Sequence, residues 1–190
     1  MIPRNDYLET FENRAEEELL RLCTSAGMLN GILLATDDID NYWHILAPEY
    51  MADAVPQVKD YPTVSVAWAA YLGLGVAWGW DQNWELYSKQ NYQNFYGKEG
   101  FDDMDEHIIQ NLLNLQLDGY EAQNIENIIR RCGETAVSLI RREGIEPQST
   151  TAFHVFARAC RVMFRIGAAI ELKRLGYRFE KMDVSDSSAI

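Results

Sequence analysis

A run of 20 residues, Tyr61 to Trp80, contains no Asp, Glu, Lys or Arg. A stretch this long either crosses a bilayer or is enclosed by the rest of a helical domain. Composition decides between the two. The run is poor in Leu and Ile, rich in Gly (Gly73, Gly75, Gly79), Ser, Thr and Trp, bounded by Asp60 and Asp81, and flanked on the positive side only by Lys59. Transfer scales disfavour such a segment as a membrane span. We therefore expect a buried central helix, opened by Pro62 and carried to about Tyr87. Ala69, Gly73 and Ala77 lie four apart on one face, where small residues permit close helix approach. The glycines do not form a nucleotide loop, since no strand precedes them and no Lys-Ser/Thr follows.

The remaining pattern is helical. No segment alternates apolar and polar residues for long. Asp6 and Glu9 suggest a capping-box start for a first helix whose apolar stripe is Leu8, Phe11, Ala15, Leu19 and Leu22, with Arg14, Glu16 to Glu18 and Arg21 on its solvated face. Gly27 and Gly31 end it. A second helix starts at Thr36 to Asp38, and Pro48 suits the first turn of a short third helix closed before Pro56. Asn91 to Gly100 reads as a loop, followed by a helix opening at Asp102 to Asp105 and capped at Gly119. Tyr120 to Glu143 is periodic and ends on Arg141, Arg142 and Gly144, the cations and αL residue of a helix C-terminus. Ser149 to Thr151 offers N-caps for a last helix that stops before Gly176. These expectations define one all-α domain over residues 1–183, a bundle of about six or seven helices with a C-terminal αα-hairpin, and a frayed tail at 184–190.

The 190 residues carry 17 Lys+Arg and 29 Asp+Glu, a net charge of −12. That balance argues against nucleic acid and anionic membranes as general partners. It is unevenly spread: residues 1–129 hold 6 basic and 22 acidic side chains, whereas residues 130–181 hold 11 basic and 5 acidic. Cys23, Cys132 and Cys160 are widely spaced and odd in number, so each is expected as a small core residue rather than part of a disulfide or zinc framework. Reduced thiols and a start without a secretory pattern suggest the cytoplasm.

Three constellations could carry chemistry. At 100° per residue, His154, Arg158, Arg161 and Arg165 fall within about 60° of one another on an otherwise apolar helix. Such a stripe can be a solvent face, can pair with carboxylates of the acidic helices, or can hold an anionic ligand, and the solvent face is the first expectation. The second is the aromatic segment from Trp78 to Phe101, in which Trp80 and Trp84 could stack on a ligand beside that stripe, though core packing is the simpler role. The third is the D-x-x-x-H spacing of Asp40 with His44 and Asp103 with His107. The Glu-x-x-His pairs of a di-iron bundle are missing, and no metal or cofactor is expected.

The leading functional expectation is a soluble, non-enzymatic interaction protein that presents an acidic surface, with Glu16, Glu17, Glu18, Asp37, Asp38 and Asp40, to a basic protein. The alternative is an anion- or small-ligand-binding bundle, enzymatic or not, that uses His154, Arg158, Arg161 and Arg165 with Trp80 and Trp84. Oligomeric state is left open by the sequence.

Overall fold

The computed structural model describes residues 2–178 and 181–182. Six helices make up the described chain: α1 (Asn5–Ser25), α2 (Asp37–Ala54), α3 (Pro62–Tyr87), α4 (Met104–Glu106), α5 (Tyr120–Arg142) and α6 (Thr150–Arg174). The only strands among the described residues are β1 (Ala35–Thr36) and β2 (Lys181–Met182), paired in parallel. The fold is all-α, as the periodicity implies. The tail at 184–190 lies outside the described residues.

Helix directions follow from the contacts. Asn5, Glu12, Glu16 and Gly27 meet Arg158, Arg161, Arg165 and Lys173 in ascending order, so α1 and α6 run the same way. Tyr7 meets Glu143 while Cys23 meets Cys132, so α5 opposes α1 and forms an antiparallel hairpin with α6. Tyr50 bonds the Ser65 carbonyl and Trp80 bonds Asp38, which sets α2 against α3.

The uncharged run is the buried α3, and α6 is its closest neighbour. An added methyl at Gly73 would stand 2.0 Å from the Phe164 carbonyl oxygen, and one at Gly167 would stand 1.8 Å from that of Ala70. The two backbones therefore touch at reciprocal glycines, and no side chain could be inserted without forcing the helices apart. Gly133 on α5 packs less closely on α3, where an added methyl would stand 3.1 Å from the Thr63 side chain and 3.3 Å from that of Ala67. The core thus sits around α3, walled by α2, α5 and α6.

Several ends form as the sequence implies. The Thr36 hydroxyl accepts the Ile39 N–H at 2.9 Å and the Ser149 hydroxyl accepts that of Ala152 at 3.1 Å, each satisfying an orphan donor of α2 or α6. Gly144 and Gly176 take φ of 62° and 100° just past α5 and α6. Other ends differ. Asp6 is no cap: Arg4 holds the cap position, and Asp6 lies in the first turn beside the Arg4 guanidinium at 2.8 Å. Pro48 starts no new helix but lies inside α2 on its exposed side, where water can serve the carbonyl its missing N–H leaves free. Gly119 is the N-cap of α5 rather than a C-cap, because the preceding segment has already ended in a π-turn at His107–Leu112 and an Asn114 with φ of 55°.

The interior of α3 breaks at Asn83, whose φ of −169° and ψ of 92° are extended. The Asn83 side chain accepts the Leu86 N–H at 3.2 Å and starts a new turn, which folds Tyr87 back onto Gly79. That turn closes the aromatic end of the bundle.

Candidate functional site

The arginine stripe faces α1. Glu12, whose side chain is 7% exposed, receives Arg158 in a short ion pair, with Arg165 at 3.4 Å and Arg161 at 3.6 Å. Arg165 also reaches Glu16 at 2.9 Å and Asp40 at 3.8 Å. Three guanidiniums thus meet three carboxylates from α1 and α2. The first expectation, a solvent face, gives way to internal pairing. The Glu12 carboxylate occupies the position between the arginines that an anionic ligand would need. A charge so enclosed is tolerated only when paired, because desolvation of an isolated carboxylate costs several kcal/mol or more. Burial, and then the neighbouring Arg165, lower the Arg161 pKa, and among the described residues its buried Nε has no hydrogen-bond partner. His154 stands apart from the cluster, half-buried and edge-on to Phe153 at 5.6 Å.

A second internal pair lies further along α6. Glu171 is wholly buried and is gripped by Arg174 at 2.7 and 3.0 Å, while Arg174 reaches Glu121 of α5 at 3.4 Å. Burial raises the Glu171 pKa against the opposing pull of Arg174.

The aromatic residues pack against each other rather than around an opening. Trp80 lies edge-on to Tyr177 at 5.4 Å and donates to Asp38 at 3.2 Å; Trp84 lies edge-on to Tyr42 at 5.2 Å; Trp78 lies edge-on to Tyr87 at 5.0 Å. Between them is a cavity of about 20 Å³, lined by Tyr42, Trp78, Trp84, Tyr87, Phe95 and Leu112, with space for about one water. Trp80 and Arg165 both reach the start of α2, Trp80 through Asp38 and Arg165 through Asp40, while Trp84 packs on Tyr42.

The acidic residues singled out by the sequence divide. Glu16, Asp38 and Asp40 turn inward to Arg165 and Trp80, and the exposed Glu17 pairs with Arg21 one turn away at 3.2 Å. Glu18 borders an open groove of about 180 Å³ with Glu134, Ser138 and Arg142, and Asp37 is exposed. The N-terminal residues therefore do not form one continuous acidic face.

A further set of acidic residues lies where α2 meets residues 92–106. Glu49 and Asp53, one turn apart on α2, meet the 92–106 segment: Gln93 donates to Glu49 at 3.0 Å and the Tyr96 hydroxyl makes a short hydrogen bond to Asp53. Burial and then the Asp53 contact push the Tyr96 hydroxyl pKa up. Next to Tyr96, Gly97 packs on Asp103, which caps the Glu99 N–H at 3.2 Å. Asp102, Asp105 and Glu106 follow. Trp68 donates to the Phe101 carbonyl at 3.0 Å and Tyr50 packs on the Phe101 ring at 5.9 Å, which fixes this segment to α2 and α3. Among the described residues no Lys, Arg or His forms an ion pair with Glu49, Asp53, Glu99, Asp102, Asp103, Asp105 or Glu106. Burial, reinforced by Glu106 and Glu126, raises Asp105 to about 6. The available signal was density: five of the eight residues from Glu99 to Glu106 are acidic.

Among the described residues no group of three or more His, Cys, Asp and Glu could hold a metal ion. Asp40 is directed to Arg165 and Asp103 to a backbone N–H, so neither D-x-x-x-H pair presents a free half-site. The three cysteines are buried as expected, but the Sγ atoms of Cys23 and Cys132 lie 3.5 Å apart, a proximity their sequence separation hides.

Fold and charge placement define a single all-α bundle in which Arg158, Arg161 and Arg165 of α6 are turned toward carboxylates of α1 and α2. No described helix is long and apolar enough to cross a membrane. No family model, curated protein or solved structure matched the chain.

Proposed function

We propose that the protein is a soluble, non-enzymatic helical interaction protein whose acidic surface meets a basic partner. The observation that carries this reading is the contrast between the paired arginines of α6 and a group of carboxylates that no described cation pairs. Arg158, Arg161, Arg165 and Arg174 of α6 are tied to Glu12, Glu16, Asp40, Glu121 and Glu171. Among the described residues no cation forms an ion pair with the carboxylates of Glu49, Asp53 and residues 99–106. A field of this kind speeds encounter with a cationic partner and selects for it. The acidic surface of the proposal is therefore this corner rather than Asp38 and Asp40.

The test is capture from native extract with the full chain as bait, at about 0.05 M salt and again at about 0.5 M, beyond the reach of surface electrostatics. The expected result is a basic protein retained at low salt and released at high salt. Retention that ignores salt, or a thermal shift of several degrees with phosphate or nucleotides, would instead favour ligand binding at the arginine stripe.

A further inference from the structure

The outer face of α2 carries an apolar stripe that nothing in the described chain covers. Ile45, Pro48, Ala52 and Val55 recur at intervals of three and four and fall within about 80° at 100° per residue. All four are exposed, Ile45 by 65% and Val55 by 41%, and Tyr61, exposed by 61%, extends the patch past the end of the helix. Single exposed apolar residues are ordinary; a row of them along three turns is not. The opposite face of α2 is already committed to the core through Ile39, Trp43, Leu46 and Tyr50, so the stripe is not a stray part of the packing surface.

We propose that this face docks an amphipathic helix of a basic partner, with its apolar side on the stripe and its Lys or Arg side chains on Glu49 and Asp53. The proposal rests on the basic-partner reading above and assigns it a surface. Charge complementarity chooses the occupant. Glu49 and Asp53 lie beside the stripe, and their contacts are with neutral donors, the Gln93 amide and the Tyr96 hydroxyl, which orient the carboxylates without neutralising them. The acidic 99–106 segment continues the same field. A second copy of this chain is a poor fit, because a two-fold contact on this face would bring the same carboxylates together on a molecule of net charge −12. The stripe spans about 15 Å of helix, the length that apolar anchors at i, i+3 or i+4, and i+7 of a docked helix require.

The experiment titrates the isotope-labelled full chain with a synthetic amphipathic helical peptide bearing leucines at i, i+4 and i+7 with flanking lysines, and with the same peptide bearing glutamates. The lysine peptide is expected to shift amides along Ile45 to Val55 and to bind at least about tenfold more tightly than the glutamate peptide. Ile45→Asp, on an exposed site, should keep the wild-type melting curve and lose about tenfold in affinity. Glu49→Gln with Asp53→Asn should lower affinity and flatten its salt dependence. Lysine-peptide shifts confined to other surfaces would overturn the docking face while leaving the basic-partner reading intact. Equal binding of both peptides, or no saturable shift on α2, would overturn it as well. A dimer in sedimentation that Ile45→Asp dissolves would assign the face to a second copy and reject the proposal. Failure of the basic-partner reading itself is seen separately, in salt-insensitive capture of the native partner.

Discussion

The seam between α1 and α6 and the corner between α2 and residues 92–106 put carboxylates to opposite uses. At the seam, the buried Glu12 and the part-exposed Glu16 each meet a guanidinium. At the corner, Glu49 and Asp53 meet a neutral amide and a phenol, and no described cation forms an ion pair with them. Buried carboxylates with cations hold helices in register; half-exposed carboxylates without them generate a field. Net charge cannot tell the two apart, because it counts the paired and the unpaired alike.

The largest expected effect of breaking this contrast is at the seam. Glu12→Ala leaves three arginines facing one another around a vacated site and should cost about 3–5 kcal/mol in urea unfolding. Asp53→Asn, the matching change at the corner, should stay within about 1 kcal/mol. Arg165→Ala removes a shared partner of Glu12, Glu16 and Asp40, and should destabilise by about 2–3 kcal/mol.

At the corner the sign reverses for one residue. Asp105 has its folded pKa raised to about 6 from a reference of 3.8. Between these values the folded state holds more proton than the unfolded state, so stability falls as pH rises from about 4 to about 6 and is level above. Asp105→Asn should therefore stabilise the protein by about 1–2 kcal/mol at pH 7.5, a figure discounted for partial exposure, with the gain shrinking towards zero near pH 4. Melting curves of both proteins across pH would show it. Tyr96→Phe, which deletes the donor to Asp53, should cost only about 1 kcal/mol. The smallest effect is that of salt on the wild type: screening of the unpaired corner should raise the melting temperature by about 1–3 °C between about 0.05 and 0.5 M.

Much of the fold is legible in local chemistry. Thr36, Ser149, Gly144 and Gly176 mark helix ends because each meets a requirement set by its immediate neighbours. The break at Asn83 goes unmarked, and Gly119 misleads, for the converse reason. The α3 break depends on Tyr87 finding the bare backbone of Gly79, and Gly119 serves the helix after it only because a π-turn has ended the one before. Neither contact is encoded within a few residues.

The arginine stripe is visible in the sequence, whereas its partner is visible only by its position. Glu12 falls about 40° from Leu8 on the α1 wheel, inside the apolar stripe with Leu19 and Cys23. A carboxylate on a face that must be buried calls for a cation elsewhere in the chain, and the only stripe of arginines on an apolar helix is that of α6. The docking face on α2 was hidden differently. Ile45, Pro48, Ala52 and Val55 form a helical stripe, but only the packed structure shows that α2 buries its other side.

The account turns on Glu12 engaging the arginines from within the bundle. A double-mutant cycle with Glu12→Gln and Arg158→Met in urea unfolding measures that engagement directly. The predicted coupling is about 2 kcal/mol or more. A coupling within about 0.3 kcal/mol of zero would mean that the stripe faces solvent, and that its charge is available to the surface after all.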